Sequence, residues 1–227
     1  IIMLQCRPLQ VQGAETISLP DLDIPNKDRI LEAHGAVIGQ SRIQHIDRLV
    51  YVVPSAYSPL PVTARYEIAQ LIGEINRLTP ADGSMKVMIL GPGRWGTSSP
   101  ELGIPVSFGQ INRMSVVCEI VAMHEHLVPD VSLGTHFLNE LVEMNMLYLA
   151  LFPRQQRNLL NESYLLDAPN RLAALLPHAE QWADAVRVID VPVADTPDMT
   201  LLLSADTLGQ KAVCFLWPNE ITPEITG

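Results

Sequence analysis

Apolar residues recur along this chain at two spacings, and the change from one to the other predicts most of its elements. Short apolar runs of strand length lie at residues 1–11, 36–43, 48–53, 87–90, 114–121, 147–151, 186–191, 199–203 and 212–217. Aliphatic and β-branched side chains dominate them, as a buried strand requires. Over 64–78 the period becomes helical: Ala64, Ile68, Leu71, Ile72, Ile75 and Leu78 share one face, with Thr63 placed as the cap. A second helix follows Ser132, with Leu133, Phe137, Leu138, Leu141 and Met144 as its apolar positions. Residues 167–184 read as helical but broken at Pro177, and 206–210 as the turn of a hairpin. Between 97 and 107, Pro100, Gly103 and Pro105 exclude a regular helix. Strands alternating with helices, then a β-rich end, predict an α/β fold. Its mixed sheet would carry helices on its faces and an antiparallel C-terminal β edge.

Three stretches follow from the pattern: a terminal strand at 1–12, a linker at 13–34 rich in proline and aspartate at its start, and an α/β domain at 35–227. The chain opens at Ile1 inside a strand-like run, so it reads as the C-terminal part of a longer protein. The composition, 48% hydrophobic and 18% charged, belongs to a folded chain. A net charge of −10 argues against nucleic acid or an anionic membrane as partner. Lys27, Lys86 and Lys211 are the only lysines, which leaves anion recognition to arginine. Cys6, Cys118 and Cys214 are dispersed without a CxxC pair and read as reduced thiols of a cytoplasmic protein.

The richest segment for chemistry is KVMILGPGRWG at 86–96, a strand that runs into a glycine turn. Gly91, Gly93 and Gly96 satisfy GxGxxG, and Glu119 lies about 20 residues further on, as a dinucleotide site of an oxidoreductase would need. Pro92, Pro100 and Pro105 oppose the helix that such a site requires. Two readings compete with it: a phosphate- or carboxylate-binding loop built from Arg94 and backbone N–H groups, and a tight turn with Trp95 packed as a lid on the sheet. His136, near Glu140 at a helix start and preceded by Gly134, is either a ligand or proton-relay group or a surface histidine. His124, Glu125 and His126 lack a further ligand at useful spacing, so no metal site is expected. Glu119 within VVCEIV either faces solvent or pairs with an arginine such as Arg94 or Arg113.

Four segments carry a family resemblance. LQCRPLQ at 4–10 resembles the last ATP-grasp strand of phosphoenolpyruvate synthase and pyruvate, phosphate dikinase, whose Q-x-R-P element closes the nucleotide site. GPGRWGTSSPELGIPVSF, SLGTHFLNELVEMNMLYLAL and LGQKAVCFLWP resemble the C-terminal region of bacterial relatives of those enzymes that share the PEP/pyruvate-binding (ATP-grasp) domain. The resemblance implies that Gln5 meets the metal–phosphate end of ATP and Arg7 a phosphate, with ATP and Mg2+ as cofactors of the parent protein. It implies an upstream ATP-grasp domain as partner. A T-S-H-A-type phosphohistidine motif is missing, and His136 does not match the family's phosphocarrier pattern. Two functions are therefore expected. One is an accessory domain of a kinase-type phosphotransferase, with a pocket for a small phosphorylated or anionic ligand around Gly91–Gly96, Arg94, Glu119, Gly134 and His136. The other is a non-catalytic domain that docks on the ATP-grasp core or forms a homodimer.

Overall fold

Along the strand Arg48–Val52, every residue is buried, yet alternate side chains enter different cores. Val50 and Val52 meet helices, whereas Leu49 and Tyr51 meet a second sheet. A strand covered on both faces is largely apolar, which is why the run after Arg48, Leu49 to Val52, shows no polar alternation. The computed structural model describes residues 24–121, 132, 135–193 and 196–219. The expected strand at 1–12, with Gln5 and Arg7, lies outside the described residues, as do Gly134, His124 and His126.

In chain order the strands are β1 (Arg29–His34), β2 (Ala36–Ile38), β3 (Arg42–His45), β4 (Arg48–Val52), β5 (Val87–Pro92), β6 (Arg94–Trp95), β7 (Gly103–Ile104), β8 (Val116–Ile120), β9 (Leu147–Leu151), β10 (Leu159–Leu160), β11 (Val186–Asp190), β12 (Met199–Asp206) and β13 (Lys211–Pro218). The helices are α1 (Pro54–Tyr57), α2 (Val62–Leu78), α3 (His136–Glu143), α4 (Glu162–Asp167) and α5 (Leu172–Leu175). A six-stranded mixed sheet has the order β11-β4-β5-β8-β9-β2, parallel from β4 to β9 and antiparallel at both edges. A five-stranded antiparallel sheet has the order β10-β1-β13-β12-β3, and β6 with β7 forms a small parallel ladder.

The parallel strands are laid down in sequence order, without reversal. Right-handed crossovers that always step the same way put every connection on one face. The α2 residues Ile68, Ile72 and Ile75 and the α3 residues Phe137, Leu138 and Leu141 accordingly share one core with Val87, Ile89 and Val117. The opposite face is left for the antiparallel sheet, where Met88, Leu90, Cys118 and Leu149 pack against Leu201, Leu203, Ala212 and Cys214.

The α/β expectation is met. The refinement concerns the layers: α2 and α3 cover one face of the mixed sheet, while on the other face the short α4, through Leu165, joins the antiparallel sheet. The C-terminal hairpin β12–β13 belongs to the sheet stacked on the other face, while β11 and β2 supply the antiparallel edges. Residues 29–34, read as linker, form β1. A bulge between Arg29 and Leu31 sends both Ile30 and Leu31 into the core and breaks the two-residue period that would have betrayed a strand. The run 36–43 divides at Gly39, whose φ of +131° lets the chain leave the mixed sheet as β2 and enter the other as β3. Residues 167–184 form no continuous helix but α5 and a 3-10 segment at Pro177–Trp182, as Pro177 dictates. No helix among the described residues is long and apolar enough to cross a membrane.

Candidate functional site

Strand β8 carries one polar residue, Glu119, on its helix-facing side, and that carboxyl is 1% exposed. It neither faces solvent nor shows a bond to Arg113, which donates to the carbonyls of Arg77 and Thr79. Four donors converge on it instead. Oε1 accepts from Trp95 N at 3.1 Å and Ser132 Oγ at 2.5 Å; Oε2 accepts from Tyr148 Oη at 2.6 Å and Ser132 N at 3.1 Å. The Ser132 amide also reaches Tyr148 Oη at 3.3 Å. Burial pushes the Glu119 carboxyl above its ordinary range, and the hydrogen bonds from Ser132, Tyr148 and Trp95 pull it back part of the way. Burial, and then the neighbouring Glu119 charge, raises the Tyr148 phenol and the Cys118 thiol as well. Burial takes the Cys214 thiol up to about 12, so neither Cys118 nor Cys214 is a ready nucleophile.

The glycine turn is packed shut by side chains. Trp95 is 1% exposed, and its indole N–H donates to the Cys118 carbonyl at 3.0 Å. A Cβ on Gly91 would lie 2.5 Å from Ile104 Cδ1 and 2.8 Å from Trp95 Cζ2. Gly96 has φ of +72°, and a Cβ there would overlap the Phe137 ring. A Cβ on Gly103 would overlap the Arg94 backbone, so β6 and β7 can pair only with glycine at that position.

The turn's amides are engaged too. Gly93 N donates to Ile120 O at 2.9 Å, Trp95 N to Glu119, and Gly96 N to Ile104 O at 3.0 Å. An anion nest needs N–H groups left over for the ligand, and a buried carboxyl beneath it opposes a second negative charge. Where an anion pocket is expected, Gly91, Gly93 and Gly96 lie in a turn packed by side chains, with the N–H groups of Gly93, Trp95 and Gly96 already bonded within the chain. The dinucleotide reading meets a separate obstacle. Where a helix should begin, the chain runs extended as β6 and then through the 3-10 segment Pro100–Leu102.

The structure thus unites Gly91, Trp95, Gly96 and Glu119 and leaves His136 apart. His136 is exposed at the first position of α3, and the cap of that helix is Thr135 rather than Ser132. Thr135 Oγ1 accepts from Leu138 N at 3.2 Å. Arg94 is half-buried and already engaged in an interaction of its own. Sequence reasoning missed Tyr148 and Ser132 as carboxyl partners. The available signal was parity: Tyr148 stands opposite Val117, so it shares the helix-facing side with Glu119 two residues along.

It also missed Arg65, 8% exposed on α2, which donates to the carbonyls of Leu60, Pro100 and Ser58 at 3.0, 2.7 and 2.7 Å and lies over the Tyr57 ring. Among the described residues no group of three or more His, Cys, Asp or Glu side chains is arranged to hold a metal ion. No family model, no curated protein and no solved structure matches the chain. Chemically, the Glu119 cluster ties the glycine turn, the residue Ser132 and strand β9 to one buried group.

Proposed function

We propose that this chain is a non-catalytic accessory domain of an ATP-dependent phosphotransferase related to phosphoenolpyruvate synthase and pyruvate, phosphate dikinase. ATP and Mg2+ are handled by an upstream ATP-grasp domain, to which Gln5 and Arg7 belong by resemblance. The one observation that carries the non-catalytic part is the engagement of the turn: the N–H groups of Gly93, Trp95 and Gly96 all have acceptors within the chain. The phosphotransferase part rests on the resemblance of the quoted segments. The setting is the cytoplasm, in keeping with Cys118 and Cys214 as free buried thiols.

Calorimetric titration of the chain with ATP–Mg2+, pyrophosphate and inorganic phosphate tests the reading. No saturable heat is expected, either from the native chain or from Arg94→Ala. A saturable heat that Arg94→Ala abolishes would overturn the proposal and restore a phosphate pocket at the turn.

A further inference from the structure

The edge of a β-sheet presents unpaired N–H and C=O groups that recruit further strands unless something blocks them. Both edges of the mixed sheet are blocked by a side-chain amide. At β11, Asn170 Oδ1 accepts from Val188 N at 2.9 Å and Nδ2 donates to Val186 O at 3.1 Å, while Arg171 N donates to Val188 O at 2.7 Å. At β2, Gln210 Nε2 donates to Val37 O at 2.9 Å and Oε1 accepts from Val37 N at 3.2 Å. In the antiparallel sheet, β10 is only two residues long.

Strand β3 differs. Ile46 N donates to Leu201 O at 2.9 Å, which sets the phase of the β3–β12 ladder. Arg42 and Gln44 therefore bond toward β12, and the backbone N–H and C=O groups of Ile43 and His45 point outward. Among the described residues no backbone bond beyond that ladder reaches Ile43 or His45. Gln44 adds an independent observation. Its Nε2 is buried without a hydrogen-bond partner among the described residues, while its Oε1 accepts from Arg42 Nε at 3.0 Å.

We propose that β3 is a self-pairing edge, through which two copies of this chain join antiparallel about a two-fold axis at Gln44. Ile43 of each copy then opposes His45 of the other, and the outward groups form four backbone hydrogen bonds. Gln44 faces its own counterpart in a non-hydrogen-bonded pair, with Cβ atoms about 4.5–5.5 Å apart. There a side-chain rotation gives each orphan amide N–H the other copy's amide oxygen. The same register is tolerant of charge. Arg42 is held by Asn145 Oδ1 and O, both at 3.0 Å, and opposes Ile46 of the second copy. The two guanidinium-bearing residues are then four strand positions apart, roughly 13 Å, which exceeds the Debye length at physiological salt.

A second copy fits better than a foreign strand because the outward bonding pattern and the orphan amide are centred on one residue. So short a strand pairing makes a small contact of the transient class. The inference is independent of the accessory-domain reading, which ligand titration addresses.

Sedimentation equilibrium from micromolar to millimolar chain tests it, with Gln44→Glu as the discriminating variant. In a single chain Glu at that position keeps the bond from Arg42; across the axis it sets two carboxylates opposite each other. The native chain is expected to approach twice its monomer mass. Gln44→Glu should raise the dissociation constant about tenfold through like-charge opposition and the lost amide pair. Ile43→Pro, which deletes an outward N–H that edge strands can forgo, should leave a monomer with unchanged circular dichroism. A native chain that stays monomeric at millimolar concentration overturns the proposal. So does a dimer that survives both substitutions.

Discussion

Replacing Glu119 probes the cluster that holds the glycine turn. In Glu119→Ala, Ser132 N retains Tyr148 Oη at 3.3 Å, and the two hydroxyls can turn to other acceptors. Trp95 N, in a residue 1% exposed, is left without an acceptor. An orphaned buried amide costs about 1–3 kcal/mol, and the lost bonds from Ser132 and Tyr148 bring the total to about 3–5 kcal/mol. Glu119→Gln keeps an oxygen for Trp95 N and Ser132 Oγ but turns an NH2 group toward the Ser132 amide, for about 1–3 kcal/mol.

The pH dependence has a definite sign. The folded carboxyl is raised, chiefly by burial, so the folded chain holds this proton more tightly than the unfolded one. Its contribution to stability is full below the unfolded value of about 4.3 and fades as pH rises through the folded value. The gap between the native chain and Glu119→Gln should therefore be largest in acid and narrow toward neutrality. Urea unfolding followed by circular dichroism at several pH values reads both quantities. A Glu119→Ala cost below about 1 kcal/mol, or a gap that widens as pH rises, would refute the reasoning.

Other substitutions test neighbouring claims. Gly96→Ala forces a side chain at φ of +72° against the Phe137 ring and should cost about 2–4 kcal/mol in urea unfolding; Phe137→Leu in the same chain should return part of it. Arg65→Lys cannot reach the carbonyls of Leu60, Pro100 and Ser58 together and should cost about 1–3 kcal/mol in urea unfolding. Gln210→Ala unblocks Val37 on β2 and should raise light scattering of the folded chain at high protein concentration. His136→Ala should change stability by less than about 0.5 kcal/mol, because that side chain is exposed at the start of α3.

Most strands were legible because both faces of the mixed sheet are covered: Leu147–Leu151 has no polar face to obscure it, and Val116–Ile120 is interrupted by Glu119 alone. The α2 stripe was equally plain, its face from Ile68 to Ile75 repeating at helical spacing. What hid β1 was geometry, since a bulge puts Ile30 and Leu31 on the same side. The second sheet was invisible for another reason: local pattern reports that Leu201 and Leu203 are buried and says nothing of whether they meet a helix or another sheet. At the glycine turn, GxGxxG marks where a backbone is approached closely, and the motif is blind to whether a phosphate or Trp95 and Phe137 make that approach. Glu119 was singled out as an outlier, but its partners come from Ser132, Tyr148 and a backbone amide, none of which an arginine-centred search would find.

The antiparallel sheet is knitted from the two ends of the described chain, Arg29 pairing with Phe215 across more than 180 intervening residues. During synthesis at about 5–20 residues per second, β1 and β3 wait on the order of ten seconds or more for β12 and β13 to emerge. The mixed sheet can assemble in the meantime, yet its Met88, Leu90 and Leu149 stay bare on the side the hairpin later covers. The hairpin at 199–218 is thus the clasp of the fold: the second core cannot close until the last strands of the described chain are in place.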